Sequence, residues 1–177
     1  MFLFHGTTMS AYENIIKVGI DVKFNIMNEL DFGPGFYMSD RQYAKNTAKS
    51  KAREALASDS EESKVPVVII LDVDEAAIIR ECNGKALIYS RKSLDFLENV
   101  FNSRYHKGED TLEVPYVSAP MADGFVNRVM KFYKEHETPA RKAIAYFRYW
   151  LPVFHRQRVV KDPDLLKYIR IVGKEVV

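Results

Sequence analysis

The chain has a single cysteine, Cys82, among its 177 residues. An internal disulfide is therefore impossible, and a cysteine-based zinc site is excluded. No apolar run approaches the roughly 20 residues of a membrane span. No basic segment precedes the first apolar residues and charges follow soon after, so no secretory signal is expected. His106, His136 and His155 do not stand at metal-motif spacing. There is no phosphate-binding loop and no dinucleotide glycine fingerprint, since Gly33 and Gly35 stand alone. No internal repeat and no composition break marks a linker. The expectation is one cytoplasmic domain over residues 1–177.

What is present suits a folded domain. The chain is 47% hydrophobic and 28% charged, enough apolar material for a sizeable core and against global disorder. Net charge is +2, but it is unevenly distributed. From Val126 to Val177 there are twelve Lys/Arg against five Asp/Glu, and the first 125 residues hold fourteen against nineteen. A basic C-terminal third fits an anionic partner such as nucleic acid, or a solvated helix face.

Patterning predicts mixed elements. Phe2–His5 reads as a short buried strand. A helix follows from Met9-Ser10 to Val18, with Ser10 as its N-cap and Gly19 as its stop. Residues 25–35 read as loop, and Gly35–Ser39 as a second strand. Asp40 caps a helix to about Ala57, and Ser58–Lys64 reads as a mobile polar loop. Val65–Val73 is the strongest strand, β-branched enough for burial on both faces, with Pro66 tolerated at its start. Short strands are predicted at Ala76–Ile79 and Ala86–Ile88. A helix is predicted at Ser93–Asn102, where Leu94, Leu97 and Phe101 share a face. A strand follows at Val114–Ala119. Two basic amphipathic helices are predicted at Ala122–Lys134 and Pro139–Trp150. Strands at Gln157–Val160 and Tyr168–Val172 close the chain around the turn Asp162-Pro163-Asp164. Strands scattered among helices without strict alternation favour an α+β fold.

Two segments stand out. His5-Gly6-Thr7 follows an apolar start, and Gly33-Pro34-Gly35-Phe36-Tyr37-Met38-Ser39 is a glycine-rich approach to an aromatic strand. With the late Gln157, they resemble the three-part signature of ADP-ribosyltransferases of the His-Tyr-Glu/Gln kind, nearest to a small bacterial and phage branch. The likeness continues through Leu94-Asp95-Phe96, Asn102-Ser103-Arg104 and Tyr116–Asp123. It ends in Gln157–Asp162 and so covers nearly the whole chain.

That resemblance implies a split β-sandwich with flanking helices and an NAD+ cleft between two small sheets. NAD+ would be the co-substrate, cleaved at the nicotinamide–ribose bond through an oxocarbenium-like cation that an acceptor then attacks. The protein would supply positioning and charge stabilisation. His5 would hydrogen-bond a ribose hydroxyl. The backbone of Gly6 would pair with the carboxamide, with Thr7 beside it, and Tyr37 would stack on the nicotinamide. Gly33 and Gly35 would let the chain turn into the strand. The missing dinucleotide fingerprint does not count against NAD+, because this superfamily binds it differently.

Gln157 would occupy the place where many relatives carry a glutamate. An amide can orient a ribose but cannot act as a base or carry charge. Where a carboxylate is needed, Asp31, Asp123 and Asp162 are the alternatives. Arg104 would meet the pyrophosphate and Asp123 would orient Arg104 or His5. Structural ion pairing is the simpler reading of both. The stretch Ala145–Trp150 with Phe154-His155-Arg156 combines aromatic and basic groups suited to single-stranded nucleic acid, although aromatics at helical spacing also build cores.

The implied activity is mono-ADP-ribosyl transfer to a cytoplasmic macromolecule, protein or nucleic acid, in a toxin or phage-defence effector with an antitoxin or chaperone partner. The alternatives are a non-catalytic NAD- or ADP-ribose-binding or interaction module of the same fold, and an NAD glycohydrolase.

Overall fold

The computed structural model describes residues 1–24, 30–55, 61–90, 95, 97–100, 113–121, 129, 131–132, 140–147 and 155–177. Among these the fold is α+β, with two sheets. The first has strand β3 (Pro66–Val73) between β1 (Phe2–Thr8) and β7 (Ile169–Val176), all antiparallel. The central position explains the β-branched run of β3, where Val67, Val68, Ile69 and Leu71 are fully buried. On β7, by contrast, burial alternates residue by residue, as one face meets the core and the other meets water.

The second sheet runs β2 (Phe36–Met38), β6 (Arg156–Val160), β5 (Tyr116–Pro120) and β4 (Leu87–Ile88). Its strands are antiparallel except for the β4–β5 pair. The two sheets pack on a common core and are joined at their edges by a backbone bridge. The Phe4 N–H donates to the Ser39 carbonyl at 3.0 Å, and the Ser39 N–H to the Phe4 carbonyl at 2.9 Å. Both residues adjoin the two motifs, so this bridge brings His5 beside Tyr37.

Helix α2 (Arg41–Glu54) lies across the first sheet. Its Ala44 and Ala48 pack on Val68, because only small side chains let helix and sheet approach this closely. The Asp40 side chain accepts from the Tyr43 N–H at 3.0 Å, which satisfies an orphan donor of the first turn. Two larger clusters form the rest of the core. One gathers Leu3, Met38, Ile69, Leu71, Tyr116 and Val160. The other gathers Phe32, Leu97, Val117, Val129, Ile144 and Val159 around the second sheet.

Several expectations change. Helix α1 (Met9–Val18) is capped by Thr8, not Ser10: the Thr8 hydroxyl accepts from the Ala11 N–H at 3.4 Å. The predicted strand at Ala76–Ile79 is part of helix α3 (Glu75–Glu81). Asp74 caps it by accepting from the Ala77 N–H at 2.9 Å, and four apolar residues are too few for periodicity to separate helix from strand. Glu61–Lys64 forms a 3-10 turn within the stretch predicted as loop. Asp162 begins a second such turn, Pro163–Tyr168, so β7 starts at Ile169 and extends to Val176. Helix α2 ends at Glu54, three residues before the predicted limit.

Of the two predicted basic helices, Ala140–Phe147 is helical (α4), as are residues 129 and 131–132. The remainder of residues 122–139 and 148–154 lies outside the described residues. In the segment predicted helical at Ser93–Asn102, residues 95 and 97–100 are helical and Leu97 is fully buried; Leu94 and Phe101 lie outside the described residues. Among the described residues no helix is long and apolar enough to cross a membrane.

Candidate functional site

The three motif residues stand on three strands. His5 is on β1, Tyr37 on β2 and Gln157 on β6. Tyr37 pairs with Val159 across the β2–β6 ladder. Gln157 is two residues from Val159, so the side chains of Tyr37, Val159 and Gln157 emerge on the same face of the second sheet. The Phe4–Ser39 bridge then sets β1 beside the edge strand β2. His5, Gly6, Asp31, Tyr37 and Gln157 line one cleft of about 190 Å3, with Lys51 of α2 at its wall.

His5 is held in one tautomer. Its Nδ1 donates to the Tyr37 carbonyl at 2.7 Å, an oxygen that can only accept. Its ring stacks on Phe36, with centroids 4.6 Å apart. Burial and the neighbouring Lys51 charge push its pKa down to about 3, against the opposing pull of the Tyr37 carbonyl. The imidazole is therefore neutral at pH 7, with Nε2 as an unprotonated acceptor. Among the described residues Nε2 has no hydrogen-bond partner. It suits a hydroxyl donor, such as a ribose supplies.

Tyr37 is tied down at its hydroxyl, which accepts from the Phe32 N–H at 3.0 Å and donates to the Gly33 carbonyl at 2.8 Å. Gly33 sits at φ +71°, a left-handed conformation that folds residues 31–33 back over the phenol. Lys161 fixes the same loop, donating to the Phe32 carbonyl at 2.9 Å. The ring of Tyr37 is thus fixed in orientation while it lines the cleft. Gly35 lies so close to β6 that a Cβ there would meet the Val160 carbonyl at 3.1 Å and the Val159 side chain.

Gln157 is 4% exposed, as is Asp31. Its Nε2 donates to Asp31 Oδ2 at 2.6 Å and to the Pro120 carbonyl at 3.3 Å. Both partners are acceptors, which settles which end of the amide faces them. Asp162, another carboxylate considered above, instead caps the 3-10 turn by accepting from the Asp164 N–H at 2.9 Å. Arg104 and Asp123 lie outside the described residues.

Gly6 serves the fold as well as the cleft. A Cβ there would collide with the Ala44 carbonyl and stand 2.8 Å from the Ala48 nitrogen. Its missing side chain is therefore what lets α2 lie on β1. Thr7, buried at 3%, faces a second cavity of about 160 Å3 walled by α1, Gly35 and Phe36. His5 and Lys51 line both cavities. The two spaces adjoin at one neutral acceptor and one cation.

Lys51 was not singled out in the sequence. Its side chain is half-buried, burial lowers its pKa, and Glu54 partly opposes that. The signal was present but disguised. Ala44, Ala48 and Lys51 fall at i, i+4 and i+7, so the lysine continues the buried alanine stripe. Lys45 and Lys49 on the same helix made it look like one more solvated cation.

Among the described residues, four basic side chains of the C-terminal third pair with acidic groups of the first part. Arg158 pairs with Glu75 at 2.9 Å, Lys167 with Glu81 at 3.0 Å and Arg170 with Asp72 at 2.9 Å, while Arg141 reaches Asp95 and Glu98. His155 Nδ1 lies 2.7 Å from Asp40 Oδ2. Arg156 donates to the Ser118 hydroxyl at 2.8 Å and to the Tyr89 carbonyl at 3.1 Å. Burial raises the Glu75 carboxyl, but hydrogen bonds from Tyr116 and Arg158 outweigh it and hold the group below its usual range.

The model of a family described as a protein of unknown function (DUF3990) matches residues 1–171. No curated protein and no solved structure gives a match. The chain belongs to the DUF3990 family.

Proposed function

We propose that the protein is an NAD+-dependent mono-ADP-ribosyltransferase with a split β-sandwich fold, modifying a cytoplasmic macromolecule. One observation carries this reading: His5, Tyr37 and Gln157, from three distant segments, line a single cleft. The chemistry on offer fits the co-substrate. Neutral His5 presents an acceptor to a ribose hydroxyl, the anchored Tyr37 ring presents a π face to nicotinamide, and Lys51 presents positive charge to the diphosphate. The adjoining cavities suit the two halves of a dinucleotide, with His5 and Lys51 between them. Nicotinamide would leave with the electron pair of the C1′–N bond, and an acceptor would close on C1′.

A binding module of the same fold is the second reading. It is favoured by one feature, the uncharged Gln157 in the third position. Release of free nicotinamide from NAD+ separates the two. Wild type and Tyr37→Ala are compared with and without added total RNA or protein. Release that depends on Tyr37 supports the transferase, and stimulation by one fraction identifies the acceptor class. Release in water alone, unaffected by either fraction, indicates a glycohydrolase. Folded protein that binds NAD+ without releasing nicotinamide under any condition refutes the catalytic reading in favour of the module.

A further inference from the structure

We propose that Asp31 is the carboxylate of this site and that Gln157 is its positioning residue, the pair together doing what a single acidic residue on β6 would do. This inference rests on the transferase reading. Gln157 spends both amide hydrogens inside the protein, one on Asp31 Oδ2 at 2.6 Å and one on the Pro120 carbonyl at 3.3 Å. Its nitrogen therefore has nothing left to donate to a ribose. What it accomplishes is to hold a carboxylate against the cleft wall. Asp31 and Gln157 are both buried, and both line the cleft together with His5 and Tyr37.

The amide is required by this arrangement. A glutamate at 157 would set two carboxylates at hydrogen-bond distance and leave the Pro120 carbonyl without its donor. Like charges so close do not both ionise. The loop that carries Asp31 is also braced from two sides, by the Tyr37 hydroxyl on Phe32 and Gly33 and by Lys161 on Phe32. This bracing supplies the supporting shell that a carboxylate on a loop requires.

In the reaction the C1′–N bond to nicotinamide breaks and its electron pair leaves on the nicotinamide nitrogen. The Asp31 carboxylate stabilises the cation left on the ribose. The acceptor's lone pair then forms the new bond to C1′, and the acceptor's proton passes to Asp31 and on to solvent. No further reactant is consumed.

The test uses the full chain with NAD+, reading nicotinamide release and NAD+ affinity for wild type, Asp31→Asn, Gln157→Glu and the exchanged pair Asp31→Asn with Gln157→Glu. Loss of a catalytic carboxylate is expected to lower kcat by about 100-fold or more in Asp31→Asn, with KM changed by less than about threefold. Gln157→Glu alone is also expected to lose activity. The exchanged pair keeps one amide and one carboxylate in contact and is expected to recover at least about tenfold over either single variant, a rescue that a purely structural role does not produce. Asp31→Asn turning over at wild-type rate overturns the proposal and leaves the transferase reading intact. Wild type that binds NAD+ but releases no nicotinamide removes both. Should Asp31→Asn fail to fold, the exchanged pair decides: folded and active supports the proposal, folded and inactive with NAD+ bound overturns it.

Discussion

His5 should make the protein acid-sensitive in a way that one substitution removes. Its folded-state pKa is about 3 against an ordinary value of 6.5. Between those values the unfolded chain takes up a proton that the folded chain refuses. Stability from this residue is therefore complete above about pH 6.5 and is lost as pH falls toward 3. The slope has an upper limit of roughly 1.4 kcal/mol per pH unit. The ring is partly open to water in the cleft, so about half that slope is expected, or roughly 1 kcal/mol lost between pH 6.5 and pH 5. His5→Gln keeps an amide hydrogen for the Tyr37 carbonyl and does not titrate. Urea unfolding of both proteins at pH 7.5, 6.5, 5.5 and 5.0 isolates the term, because every other titrating group is shared. Wild type should lose about 1 kcal/mol more than the variant over this range. Parallel curves would refute the argument that His5 is held neutral. A nitrogen-resolved NMR spectrum at pH 5 should also show a neutral His5 ring protonated at Nδ1.

Three further outcomes follow from the same geometry. Gly6→Ala should cost about 2–3 kcal/mol, the upper part of the overpacking range, because the Cβ meets helix backbone that cannot rotate away. Gly84→Ala, at φ +81° with open space around it, should cost only about 1 kcal/mol, and equal Tm shifts for the two would contradict the packing account. Lys51→Met should weaken ADP-ribose binding about tenfold by calorimetry without lowering Tm, since a half-buried, partly desolvated ammonium contributes little to stability; unchanged affinity would remove Lys51 from the diphosphate. Glu75→Gln should lose about 1–2 kcal/mol at pH 7 through its bonds to Tyr116 and Arg158. Because the Glu75 pKa is lowered, that difference should be present above pH 4.5 and vanish as pH falls below it, as read by urea unfolding.

Much of the scaffold was legible because local signals are strong where burial is one-sided or complete. The β-branched run of β3 announced a central strand, and Asp40 and Gly19 bounded α2 and α1 through capping chemistry that depends on a few neighbouring atoms. Misreadings fell where the signal is short. Ala76–Ile79 carries no period long enough to separate strand from helix, so the Asp74 cap decided it. The charge imbalance also read differently in three dimensions. It described two halves of one chain that pair with each other, through Arg158, Lys167 and Arg170, as much as a face awaiting a partner.

The sequence by itself determined which residue types line the candidate site: a histidine before a glycine, an aromatic strand after a glycine turn, and an amide in late position. Their identities and order are written in the chain. Only the tertiary structure decided that they share one cleft, because the bridge between Phe4 and Ser39 and the pairing of β2 with β6 join segments far apart in sequence. It also decided the tautomer of His5, the burial of Lys51 and the contact of Gln157 with Asp31, 126 residues away. Long-range pairings of this kind leave no periodicity along the chain. They depend on where strands meet, and that is settled by the packing of the whole core.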